Sequence, residues 1–122
     1  MSKTILVVDD SAAIRQVVSL ALKGAGYQTI EAMDGADALR KIQGVKIHLV
    51  ISDVNMPNMD GITLLKELKK QPTTKFTPVI MLTTESEAAK KDQGRLAGAK
   101  AWVVKPFVPD QMLAAVNKLM PA

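Results

Sequence analysis

Five times along this chain a short apolar run stops at polar residues and gives way to a segment that is apolar on one side only. The first run, Thr4 to Val8, has no polar alternation, the pattern of a strand covered on both faces in a parallel sheet. It ends at Asp9 and Asp10. Ser11 is placed to cap a helix in which Ile14, Val17, Val18, Ala21, Leu22 and Ala25 recur at helical spacing, with Gly24 and Gly26 marking the stop. Tyr27 to Ala32 reads as a second strand. Asp34 and Gly35 open a second helix, with Ala38, Leu39 and Ile42 inward, closed by Gly44.

The third run, Ile47 to Ser52 with His48 inside it, leads to a lone carboxylate, Asp53, and Pro57 then bars continuation as strand or helix. After the Pro57 and Gly61 loop, Ile62 to Lys70 reads as a helix with Leu65 and Leu68 on its apolar side. Gln71 to Thr77 is a linker. Val79 to Thr83 is the fourth strand, and it too ends in a polar residue. Ser86 to Leu96, rich in Ala with Lys90, Lys91 and Arg95, is the least amphipathic helix and is expected to pack lightly. Ala101 to Val104 is the fifth strand, ending at Lys105 and Pro106. Pro109 starts a last helix with Met112, Leu113, Val116, Leu119 and Met120 along one stripe. Alternating units with short connections predict an α/β fold, a doubly wound five-stranded parallel sheet with helices on both faces.

A chain of 122 residues is long enough for one domain with a sizeable core and short for two, so a single domain over 1–122 is expected. No apolar run reaches the length of a membrane span, and the Met-Ser-Lys start lacks the features of a signal peptide. A cytoplasmic protein is expected. The absence of cysteine excludes disulfides, thiolate metal sites and cysteine nucleophiles. Residues 62–122 carry ten Lys/Arg against five Asp/Glu, but these are scattered over several helices, and one Trp, one Tyr and two Phe offer little stacking surface. Nucleic acid is therefore not an expected partner.

Ligands of open parallel sheets bind outside the carboxyl ends of the strands. Here those ends carry Asp9, Asp10, Asp53, Thr83 and Lys105. Three carboxylates brought together repel unless a cation intervenes, and Mg²⁺ suits such an oxygen-rich site. The set fits phosphoryl transfer to a carboxylate: Asp53 attacks phosphorus, while Mg²⁺, Lys105 and the Thr83 hydroxyl hold the equatorial oxygens. Taken singly, each residue also has a plain structural use, as a strand end, a helix cap, a loop hydroxyl or a solvated charge. Met56 and Met59 are expected to close their loop against the core. His48 lacks a second imidazole nearby in sequence and is assigned no metal.

The run Val7-Val8-Asp9-Asp10-Ser11, the stretch Asp53-Val-Asn-Met-Pro-Asn-Met-Asp-Gly61, then Leu82-Thr83, then Lys105-Pro-Phe107 resemble the receiver domain of two-component response regulators. The resemblance covers essentially the whole chain. It implies the flavodoxin-like strand order 2-1-3-4-5, which the element pattern does not itself fix. It further implies that Asp53 accepts phosphate from a histidine kinase, that Asp10, Asp53 and the Asn55 backbone carbonyl ligate Mg²⁺, and that Asp9 acts through water. A cis peptide between Lys105 and Pro106 is implied as well. Thr83 and the fifth-strand aromatic, Trp102, would form the switch, although Trp is bulkier than the usual Tyr or Phe. Asn55 and Glu85 would tune dephosphorylation, and Thr84 would crowd access to the phosphoryl group.

The Asn-Met-Pro-Asn-Met-Asp-Gly stretch is closest to single-domain chemotaxis members of the family. The expected partners are therefore a chemotaxis histidine kinase, the flagellar motor switch protein and a phosphatase, with the chain acting as a monomer without an effector domain. Its only catalysis would be its own phosphorylation and dephosphorylation. A phosphate sink or phosphorelay intermediate is the alternative within the family. Outside it stand a flavin or nucleotide electron carrier of the same fold, which the acidic Asp9-Asp10-Ser11 loop disfavours, and a turnover phosphatase working through Asp53.

Overall fold

The computed structural model describes residues 3–54, 56, 58–84, 98–105 and 108–120, with residue 84 described by its backbone alone. Five strands, β1 (Thr4–Val8), β2 (Gln28–Ala32), β3 (Leu49–Asp53), β4 (Val79–Thr84) and β5 (Ala101–Lys105), form one parallel sheet in the order β2-β1-β3-β4-β5. The helices described are α1 (Ala12–Gly24), α2 (Gly35–Lys41), α3 (Gly61–Lys70) and α4 (Pro109–Leu119). The doubly wound arrangement expected from the apolar runs is thus present. The helix expected over 86–96 lies outside the described residues.

Two apolar clusters sandwich the sheet. One face of the strands, with Leu6, Val8, Val50 and Met81, packs against Ala38 and Ile42 of α2 and Ile62, Leu64, Leu65 and Leu68 of α3. The other, with Ile5, Val7, Leu49, Ile51, Ile80 and Leu82, packs against Val18 and Leu22 of α1 and Met112 and Val116 of α4. Every residue of β3 is buried, as a central strand covered twice should be. Strand alternation divides each run between the two clusters.

Helix boundaries follow local chemistry. The Ser11 Oγ accepts from the Ile14 N–H at 3.3 Å and caps α1, and Pro109 sits in the first turn of α4, where a missing N–H costs nothing. Gly26, at φ 96°, makes the left-handed turn that follows α1.

Several expectations need correction. The stripe assigned to α1 is too wide: Val17 is 47% exposed and Ala25 is exposed, because the sheet meets only the narrower line through Ile14, Val18, Ala21 and Leu22. On α3 the stripe is wider than Leu65 and Leu68, since Ile62 and Leu64 are buried too. Strand β3 begins at Leu49, not Ile47. The Thr4 N–H is taken by the His48 Nδ1 at 3.0 Å in place of a backbone carbonyl, so regular pairing starts one residue later. Strand β3 also extends through Asp53 itself.

Candidate functional site at the carboxyl edge of the sheet

The parallel sheet carries the ends of β1, β3, β4 and β5 to one edge. Asp9 follows β1 directly, and its backbone continues the ladder by donating to the Ala32 carbonyl at 3.1 Å. Asp53 ends β3 opposite Leu82, Thr83 pairs in register with Val104, and Thr84 with Lys105. The carboxylates of Asp9, Asp10 and Asp53 each place an oxygen within 4.8 Å of the others. Asp9 and Asp53 are buried, while Asp10 faces solvent.

Lys105 joins two of the three acids. Its Nζ donates to Asp9 Oδ2 at 2.9 Å and lies 3.3 Å from Asp53 Oδ1. Burial by itself would lower the Lys105 pKa, but the hydrogen bond with Asp9 and the charges of Asp53 and Asp9 outweigh it and hold the ammonium above its ordinary value. The carboxylates are oriented by backbone donors: Asp9 Oδ1 accepts from the Ser11 N–H at 2.9 Å, and Asp53 Oδ1 from the Val54 N–H at 2.9 Å. Three carboxylates and one ammonium leave a net excess of negative charge around a solvent-facing oxygen. That donor set fits a hard divalent cation that keeps part of its water, as Mg²⁺ does.

Two neighbours support this centre through contacts that the sequence does not show. Arg15 reaches back from α1 to donate to the Asp9 carbonyl at 2.6 Å, with its Nε 3.6 Å from Glu31. Gly61, the first residue of α3, lies against the backbone beneath Asp53: a Cβ there would sit 2.1 Å from the Asp53 carbonyl oxygen. The first is visible in sequence only as a charge on a helix, and the second as the glycine that ends the stretch from Asp53, without its contact.

Thr83 is buried at the end of β4. Met81 precedes it by two residues and pairs with Trp102, and Trp102 packs in the cluster that contains Met81. Alternation therefore puts Thr83 and Trp102 on one face of the sheet. The indole N–H of Trp102 is buried and has no hydrogen-bond partner among the described residues. Met56 and Met59 pack against the α2 and α3 cluster, as expected. Asn55, Glu85, Pro106 and Phe107 lie outside the described residues, as does the side chain of Thr84. No helix among the described residues is long and apolar enough to cross a membrane.

The family model of the response regulator receiver domain matches residues 5–117. This chain belongs to that family. The receiver domain is 44% identical to the chemotaxis response regulator CheY4 of Vibrio cholerae, with a TM-score of 0.92 over 98% of this chain and all of that one. It is 35% identical to protein PilG of Pseudomonas aeruginosa over 118 residues, 97% of this chain and 87% of PilG. It is 38% identical to the phosphate regulon transcriptional regulatory protein PhoB of the same organism over 120 residues, 98% of this chain. The receiver domain spans about half, 52%, of PhoB's length. Receiver domains are phosphorylated by histidine kinases and generally use Mg²⁺ at an acidic pocket, and an aspartate cluster of that kind is present here.

Proposed function

We propose that Asp53 is the phosphoacceptor of this receiver domain and that Asp10, Asp53 and the Asn55 backbone carbonyl hold Mg²⁺, with Asp9 acting through water. The observation that carries the reading is the convergence of three carboxylates with Lys105 bridging Asp9 and Asp53. An Asp53 oxygen attacks phosphorus, the bond from phosphorus to the kinase histidine nitrogen breaks, and its electron pair stays on the imidazole. Lys105 neutralises charge on the phosphoryl oxygens, and the Val54 N–H fixes the attacking carboxylate. Bound Mg²⁺ supplies Lewis-acid charge stabilisation at those oxygens.

The outgoing signal in this reading passes through Thr83 and Trp102. Thr83 moves toward the phosphoryl group, and the indole, whose N–H has no partner among the described residues in its present position, takes up a second one beside β4. A buried unpaired donor is costly and favours a ring with an alternative place. Asn55 and Glu85 set the lifetime of the phosphorylated form, and a cis Lys105–Pro106 bond would aim the ammonium.

The physiological role proposed is that of a monomeric chemotaxis regulator in the cytoplasm. A histidine kinase phosphorylates it, a phosphatase resets it, and it binds the flagellar motor switch protein. The full-length match to CheY4 supports this. The PhoB match, confined to about half of that protein, favours a second reading, in which the same switch acts beside another domain. Incubation with a small phosphodonor and Mg²⁺ tests the switch: Trp102 fluorescence should change as phosphate is incorporated. Binding of a motor-switch peptide that strengthens on phosphorylation supports the chemotaxis role, and equal binding with and without phosphate sinks it.

A further inference from the structure

The loop that leaves β3 is fastened at its middle to a corner of the fold that carries none of the site's carboxylates. Among the described residues Asn58 is the only non-glycine with a left-handed backbone, φ 69°, a conformation Asn tolerates better than most residues. From there its Nδ2 donates to Asp34 Oδ2 at 2.9 Å. Asp34 is buried, and its other oxygen caps α2 by accepting from the Asp37 N–H at 2.8 Å. The adjacent residues close the same seam: the Gly35 N–H points to the Met59 carbonyl at 3.4 Å. A Cβ at Gly35 would lie 2.7 Å from the Met59 side chain, so glycine permits the approach.

Both ends of this loop are fixed as well. The Val54 N–H donates to the Leu82 carbonyl at 3.2 Å, and the Gly61 N–H donates to the Val54 carbonyl at 2.8 Å. Asn55 lies three residues before Asn58 in the sequence. A backbone carbonyl has no side-chain torsion with which to find a metal, so it is aimed by whatever holds its loop.

We propose that Asp34 and Asn58 are positioning residues for Mg²⁺, a clamp from the start of α2 that sets the β3–α3 loop at the distance the cation requires. This rests on the Mg²⁺ reading given above. The test is calorimetric titration of Mg²⁺ into the unphosphorylated full chain, with melting in EDTA measured alongside. Asn58→Gly keeps the left-handed turn, removes the carboxamide and changes no charge. It should weaken Mg²⁺ about tenfold, the loss typical of an outer-shell partner, while the EDTA melting temperature falls only by the few degrees that one lost hydrogen bond to Asp34 costs, so the domain stays folded throughout the titration. The exchange Asp34→Asn with Asn58→Asp keeps the total charge and an equivalent α2 cap while reversing the donor, and it should restore wild-type affinity. Wild-type affinity in Asn58→Gly, or no recovery in the exchanged pair, would overturn the clamp. Failure of the wild-type chain to bind Mg²⁺ would instead remove the metal reading beneath it.

Discussion

Two groups of acids, each with buried members, flank the β3–α3 loop, and they are partnered in opposite ways. At the start of α2, Asp34 accepts from the Asp37 N–H and Asn58, while Asp37 accepts from the Met33 N–H at 3.1 Å and pairs with Arg40 and with Lys41, the latter at 3.1 Å. At the ends of β1 and β3, Asp9, Asp10 and Asp53 cluster, and Lys105 pairs with Asp9 and Asp53. The first group is neutralised and hydrogen-bonded by its own surroundings, and it holds structure. The second has three carboxylates to one ammonium among the described residues. Burial alone therefore does not mark a functional carboxylate, whereas several acids gathered around one cation beside solvent do.

The largest effect expected from breaking this contrast is at Lys105. Lys105→Met leaves the fully buried Asp9 carboxylate without its cation and should cost about 3 kcal/mol in metal-free urea denaturation. Saturating Mg²⁺ should recover part of that loss, because the site can exchange one cation for another. Asp37→Asn should cost less, about 1 to 2 kcal/mol, through weaker bonds to Met33, Arg40 and Lys41. The same denaturation curves should show no recovery with Mg²⁺.

Smaller still, and of opposite sign, is Asp10→Asn. Removing one of three mutually repelling carboxylates should stabilise the metal-free domain by about 1 kcal/mol. Melting in EDTA should rise while Mg²⁺ affinity falls. A destabilised Asp10→Asn would mean that the cluster is compensated after all.

The two groups should also differ in pH response. The backbone hydrogen bond from Asp37 and the Asn58 amide hold the Asp34 pKa below the usual carboxylate value. Burial would raise that of Asp37, but the Met33 N–H, Lys41 and Arg40 bring it below as well. Their stabilisation is complete above the unfolded value of 3.8 and is lost as pH falls through the lower folded values. Lys105 is shifted upward, so its contribution is complete below 10.5 and is lost as pH rises through its folded value. Melting profiles should therefore flatten on the acid side in Asp37→Asn and on the alkaline side in Lys105→Met.

The strands were legible because a strand buried on both faces needs an unbroken apolar run, and residues 5–8 and 79–82 supply one each. Strand order was carried by family resemblance, since alternation alone does not say which runs are neighbours. Asp9, Asp10, Asp53 and Lys105 could be placed because a parallel sheet sends all strand ends to one edge. The Asp34 to Asn58 bond could not: it joins residues 24 apart through a left-handed turn, and sequence shows only a helix cap and a loop asparagine. Arg15 was hidden for a similar reason, because its partner is a backbone carbonyl.

The account stands on Asp53 as the atom source for a new bond to phosphorus, and intact mass spectrometry reads that directly. After incubation with a small phosphodonor and Mg²⁺, the wild-type chain should gain the mass of one phosphoryl group, while Asp53→Asn, or the wild-type chain in EDTA, should gain none. An equal gain in Asp53→Asn, or none in the wild-type chain with Mg²⁺ present, would contradict it.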